Sequence, residues 1–98
     1  MKTACILLAE GFEEVEAITP ADYLRRAGID VTIAGITGKR VRGCHGIIIE
    51  TDSGQEALDK DYDAILIPGG MPGARNLAEN ALVRGLIIRH YKKGKIIA

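Results

Sequence analysis

Two short segments carry the groups best suited to chemistry. Glu10-Gly11-Phe12-Glu13-Glu14-Val15-Glu16 places four carboxylates within seven residues, and Pro68-Gly69-Gly70 places paired glycines directly after an apolar run. Adjacent glycines leave backbone N–H groups bare, free to face an anion or an oxyanion that develops during reaction. A carboxyl group buried without a cationic partner has its pKa raised, so it can stay protonated and donate a hydrogen bond. Glu16 is the candidate for that role, and Gly69 and Gly70 are the candidate anion-facing amides. The plainer alternatives are an acidic first turn that complements a helix dipole and an ordinary strand-to-helix turn. Counted at helical spacing, positions 13, 16, 20, 24 and 27 form one stripe ending in the apolar Leu24 and Ala27. On that register Glu13 and Glu16 face the sheet, and Glu14 points elsewhere.

An obvious nucleophile is missing. Cys5 lies in an apolar run and reads as a core residue. Cys44 and His45 are neighbours in a segment read as extended, so they point to opposite faces and do not form a nucleophile–base pair. Cys44 sits in a polar, exposed hairpin, where it is either a candidate oxidation site or an inert thiol. His90 falls near a helix C-terminus, where a cation suits the dipole. The natural place for a nucleophile is a sharp elbow after the next strand, which presents a side chain at a helix N-terminus.

Other chemistries fit less well. A flavin-phosphate loop after the first strand would meet Glu10, Glu13 and Glu14, which repel phosphate. A P-loop requires Lys and Ser or Thr after its glycines, whereas Gly73 is followed by Ala74-Arg75. A phosphate-receiver domain needs an aspartate where Pro68-Gly69-Gly70 stands. The two cysteines match no zinc spacing and no dense disulfide framework. No metal and no organic cofactor is expected.

These groups must be positioned by alternating elements. Thr3 to Ala9 reads as a buried strand. Glu13 to Ala27 reads as a helix closed by Gly28, with a kink or a fresh start at Pro20. Asp30 to Ala34 is a second strand. Val41 and Ile47 to Glu50 are short hairpin strands, and Ser53 is expected to cap a short helix around Ala57. Asp63 to Ile67 is a buried strand, Ala74 to Ala78 a short helix, Asn80 to Tyr91 a longer one, and Lys95 to Ala98 another strand. This alternation predicts an α/β fold: a flavodoxin-like, doubly wound, mostly parallel sheet between two helical layers. In that order the strands beginning at Thr3 and Asp63 are neighbours at the switch point. The acidic loop then lies beside Gly69 and Gly70.

With 98 residues the chain makes at most one small domain. Thirteen basic residues balance thirteen acidic ones, and aromatic residues make up 4%. Neither a nucleic-acid partner nor a membrane surface is therefore expected. No run reaches transmembrane length and no cleavable signal is evident, so the expected setting is cytoplasmic.

Four segments carry a family resemblance: Glu10 to Glu16; Arg25-Arg26-Ala27-Gly28-Ile29-Asp30-Val31; Ile67-Pro68-Gly69-Gly70 with Gly73-Ala74; and Lys93-Gly94-Lys95-Ile96-Ile97-Ala98. In this order they resemble the DJ-1/ThiJ/PfpI superfamily, closest to the branch that holds the Parkinson-disease protein and its bacterial relatives. The resemblance implies that residues 1–98 are the N-terminal half of one such domain. The C-terminal half, with the cysteine elbow, would lie past Ala98, either removed by truncation or cut from this half near the strained elbow and still bound to it, the cut being favoured. It implies that Glu16 hydrogen-bonds the cysteine sulfur and that Gly69 and Gly70 line an oxyanion site. It further implies a homodimer of the complete domain and cysteine-dependent action on small electrophiles, of glyoxalase, deglycase or peroxide-sensing type. Protease and thiazole-biosynthesis labels also occur in the family. The family's arginine just after the cysteine near position 44 has no counterpart, since His45 and Gly46 follow. A non-catalytic chaperone or interaction module, and a glutamine-amidotransferase-like half-domain, are the alternative readings.

Overall fold

Short runs of apolar residues, too brief for helices, become strands wherever a helix can cover each face. A computed structural model describes residues 1–98. In chain order the elements are β1 (Thr3–Leu8), α1 (Glu14–Arg26), β2 (Asp30–Gly35), β3 (Arg40–Arg42) and β4 (Ile48–Glu50). A 3₁₀ turn (Gln55–Asp59), β5 (Ala64–Leu66), α2 (Gly73–Ala78), α3 (Ala81–Lys92) and β6 (Ile96–Ile97) follow. The main sheet has the order β2-β1-β5-β6, with every pair parallel. β3 and β4 form a separate antiparallel hairpin. This is the expected flavodoxin-like arrangement, with β1 and β5 adjacent at the switch point.

Because β1 is paired on both sides, its alternate side chains feed two cores. Cys5 and Leu7 pack with Ile65, Leu77, Val83 and Leu86 on one face. Ala4, Ile6 and Leu8 pack with Phe12, Ala17, Ala21 and Val41 on the other. The first core belongs to α2, α3 and the 3₁₀ turn; the second belongs to α1 and the hairpin.

α3 starts where the sequence predicts, with the Asn80 side chain accepting the Val83 N–H at 3.0 Å. Its buried positions are Val83, Leu86 and His90. His90 is fully buried. Its Nε2 accepts the Tyr62 N–H at 2.9 Å, and its Nδ1 donates to the Leu86 carbonyl at 2.8 Å. It therefore ties the approach to β5 onto α3, a structural role rather than a dipole-facing cation.

Three local expectations are corrected. α1 runs unbroken from Glu14 to Arg26 with Pro20 inside it, so there is no fresh start. Its buried residues are Glu14, Ala17 and Ala21, so the inward stripe is shifted by one position. Glu14 faces inward, and Glu16 is exposed. Ser53 does not cap the 3₁₀ turn. The sense is reversed: the Glu56 carboxylate accepts from Ser53 Oγ at 3.0 Å and from the Gly54 amide at 2.9 Å. No helix is long and apolar enough to cross a membrane.

Candidate functional site

Parallel pairing fixes where the loops after β1 and β5 must go. Ile6 stands opposite Leu66, so both strands end at the same edge and their loops meet there. The Glu13 amide donates to the Gly69 carbonyl at 2.9 Å. Gly70 has φ +93°, and a Cβ on it would lie 2.5 Å from the Glu13 nitrogen. Only glycine allows both this conformation and this approach. In the first turn of α1, the Glu16 Oε1 accepts the Gly69 N–H at 2.7 Å. Glu16, Pro20, Leu66, Ile67, Pro68 and Ala98 line a hollow of about 160 Å³. The Ala98 carbonyl closes the β6 side by accepting from the Ile67 amide at 2.8 Å.

Glu16, Gly69 and Gly70 are thus brought together, but the division of labour differs from the expectation. The Gly69 amide is not bare; it holds the Glu16 carboxyl in place. The Gly70 N–H donates to no acceptor in the protein, so it is the amide open to a ligand. Glu16 Oε2 makes no hydrogen bond within the chain and can face a group entering the hollow. The burial invoked for a protonated Glu16 is not supplied by these residues.

A second cluster lies at the start of α1 and escaped the sequence reading. Gly43 and Gly46 bracket a turn, not a strand, so Cys44 and His45 do not point to opposite faces. Cys44 Sγ lies 3.4 Å from His45 Nδ1. Both meet the acidic helix start. Cys44 Sγ donates to Glu13 Oε2 at 3.2 Å, and His45 Nδ1 lies 2.9 Å from Glu14 Oε1. Glu14 Oε2 accepts the amides of His45 at 2.8 Å and Ile47 at 3.2 Å.

Burial alone would raise the Glu14 carboxyl. Hydrogen bonds from His45 and from backbone amides outweigh it and hold the group down at about 2. His45 is correspondingly raised, first by its bond to Glu14 and then by the charges of Glu13 and Glu14. Desolvation, then bonding to Glu13 and the two negative charges, lifts the exposed Cys44 thiol to about 11. That setting disfavours the thiolate that oxidation of Cys44 requires. Cys5 is also raised to about 11, chiefly by burial, in keeping with its place in the core.

The available signal was Gly43. A Cβ there would stand 2.3 Å from the Glu14 side chain, so the glycine marks where that carboxylate must pass.

The chain matches the DJ-1/PfpI family over residues 2–98. It is 43% identical over 101 residues to the Parkinson disease protein 7 homolog of Danio rerio, covering 99% of this chain and 53% of that protein. It is 41% identical over 100 residues to protein dj-1beta of Drosophila melanogaster, with 99% and 53% covered. Oxidized DJ-1 of Toxoplasma gondii superposes with a TM-score of 0.96 at 34% identity, over 99% of this chain and 54% of that one. A cysteine-to-alanine mutant of a DJ-1 superfamily protein from Salmonella typhimurium superposes with a TM-score of 0.94 at 41% identity, over 99% and 54%. The chain spans about half the length of the relatives it matches.

Proposed function

The chain belongs to the DJ-1/PfpI family, and on that premise we propose that it supplies the glutamate-and-amide half of a cysteine-dependent site for small electrophiles in a stress response. The observation that carries this reading is the Glu16 carboxyl held at 2.7 Å by the Gly69 amide, at the edge where β1, β5 and β6 end together. The cysteine comes from the remaining half of the domain, on an elbow that follows the strand containing Ala98. That half also covers Glu16, whose carboxyl O–H at Oε2 donates a hydrogen bond to the sulfur without giving up its proton, favouring the thiolate.

With a carbonyl substrate the thiolate forms a C–S bond, and the displaced π pair moves onto oxygen, where the Gly70 N–H stabilises it. With a peroxide the sulfur attacks one oxygen and the O–O bond breaks. The products are a sulfenic acid and, after proton uptake, water or an alcohol. A neighbour solved in an oxidized form favours including the second outcome.

The working form is a cytoplasmic homodimer. Val15 and Ile47 are 62% and 53% exposed and, with Ile18 and Ile49, border a shallow apolar groove suited to a second copy.

The test is Glu16→Gln and Glu16→Ala in the full-length protein that carries this chain. Glu16→Gln is expected to raise the thiol pKa. Glu16→Ala is expected to lower methylglyoxal turnover by at least ~10-fold, about 1.4 kcal/mol of barrier, with the fold intact. An unchanged thiol pKa and unchanged turnover would overturn the assignment.

A further inference from the structure

The residues around Cys44 form a donor set that the Glu16 site does not use. Glu13, Glu14, Cys44 and His45 each offer a ligand atom, and the four atoms lie within 4.8 Å of one another. A tetrahedral ion with bonds of about 2.0–2.3 Å keeps its ligands roughly 3.3–3.6 Å apart. The nearest approaches lie around that range, so small side-chain adjustments reach it: 3.4 Å from sulfur to His45 Nδ1, 3.2 Å from sulfur to Glu13 Oε2, 3.8 Å from sulfur to Glu14 Oε1, and from His45 Nδ1 3.5 Å to Glu13 Oε1 and 2.9 Å to Glu14 Oε1.

From this geometry we infer that Glu13, Glu14, Cys44 and His45 bind one zinc-class divalent ion. The donors carry three chemistries and come from two segments about thirty residues apart, held together by the fold. The Glu14 side chain is only 8% exposed. Its Oε2 is fixed by two backbone amides while Oε1 faces the thiol and the imidazole. Ligands oriented this way by a backing shell are what metal sites require. The Cys44 amide is likewise pinned, donating to the Phe12 carbonyl at 2.8 Å. An ion pair between His45 and Glu14 would need neither the thiol nor the second carboxylate.

Charge decides in the same direction. With the ion bound, two carboxylates and a thiolate contribute three negative charges against about half a positive charge from the start of α1, which a divalent cation offsets. Thiolate and imidazole select zinc over magnesium or calcium. On binding, the Cys44 S–H proton and the proton that His45 Nδ1 shares with Glu14 both leave to solvent, the latter directly or after moving to Nε2, and neutral His45 coordinates through Nδ1. No electron changes hands. None of the four side chains lines the Glu16 hollow, although Glu14 also borders the groove assigned to the second copy.

The experiment titrates the chelator-treated, full-length protein with zinc chloride and, in parallel, with cobalt chloride. One equivalent per chain should bind, and cobalt should give a thiolate-to-metal charge-transfer band with intense tetrahedral visible absorption. Cys44→Ser should abolish that band. Cys44→Ser and His45→Gln should each weaken zinc binding by about 10- to 100-fold without changing the circular dichroism. Absence of the charge-transfer band, or zinc affinity unmoved by Cys44→Ser, would overturn the site. Should Cys44→Ser fail to fold, unaltered zinc affinity in His45→Gln is enough to overturn it.

Discussion

At Gly69 and Gly70 the same added methyl group meets two different obstacles. On Gly69 a Cβ would lie 2.7 Å from Glu16 Oε1, the far end of a side chain that can swing away. On Gly70 it would lie 2.5 Å from the Glu13 nitrogen and 2.8 Å from the Gly11 carbonyl oxygen, at φ +93°. Backbone cannot move aside so cheaply. Gly69→Ala is therefore expected to stay within ~1 kcal/mol of the parent while displacing the carboxyl. Gly70→Ala is expected to cost at least ~2 kcal/mol from strain and collision. Urea unfolding of both variants measures the difference, and equal losses would contradict the assignment of separate roles.

At the scale of elements, much was legible because the signals were local. The apolar runs of β1, β2 and β5, the Asn80 cap and the glycine stop after α3 all stand in consecutive residues. The meeting of Glu16 with Gly69 followed from the parallel order, a rule of topology rather than of sequence distance. What was not legible depended on one residue of register. α1 begins at Glu14 with Glu13 still extended, so the stripe runs through 14, 17 and 21 instead of 13, 16 and 20. The Glu14–His45 contact was hidden for a second reason, since a glycine-bracketed turn puts neighbouring side chains on the same side. Element packing also has a pH signature at Asp61, which joins the segment before β5 to α3 through Arg89 Nε at 3.0 Å and through Lys93. Hydrogen bonds from Lys93 and then Arg89 hold its carboxyl at about 2, below the ordinary 3.8. Since the folded value is the lower one, this stabilisation is fully present above pH 3.8 and is lost as pH falls toward 2. Asp61→Asn should thus lower the unfolding midpoint above pH 3.8 and converge with the parent near pH 2. The gap should be modest and salt-sensitive, because both partners are partly exposed.

Across the whole molecule the sheet is covered unevenly. α1 shields the β1 and β2 side of its face. Beyond it, Ala4, Leu24, Ile29, Ala64, Leu66 and Ile96 border an apolar groove of about 440 Å³. Ile96 is 65% exposed on β6, which pairs only with β5. An apolar groove beside a sparsely paired edge strand is a surface that proteins normally cover. If the remaining half of the domain packs there, it also closes the hollow beside Glu16, since Leu66 and Ala98 border both spaces. A fragment limited to residues 1–98 should then bind an apolar fluorescent dye such as anilinonaphthalene sulfonate and associate with itself. The protein at the length of its relatives should not bind the dye and should not associate beyond its dimer. Adding the separately expressed second half to the fragment should quench the dye signal with one-to-one stoichiometry and restore reactivity at the cysteine it brings. Equal dye binding by fragment and full-length protein would mean that the groove is left open in the complete domain and that the cysteine half docks elsewhere.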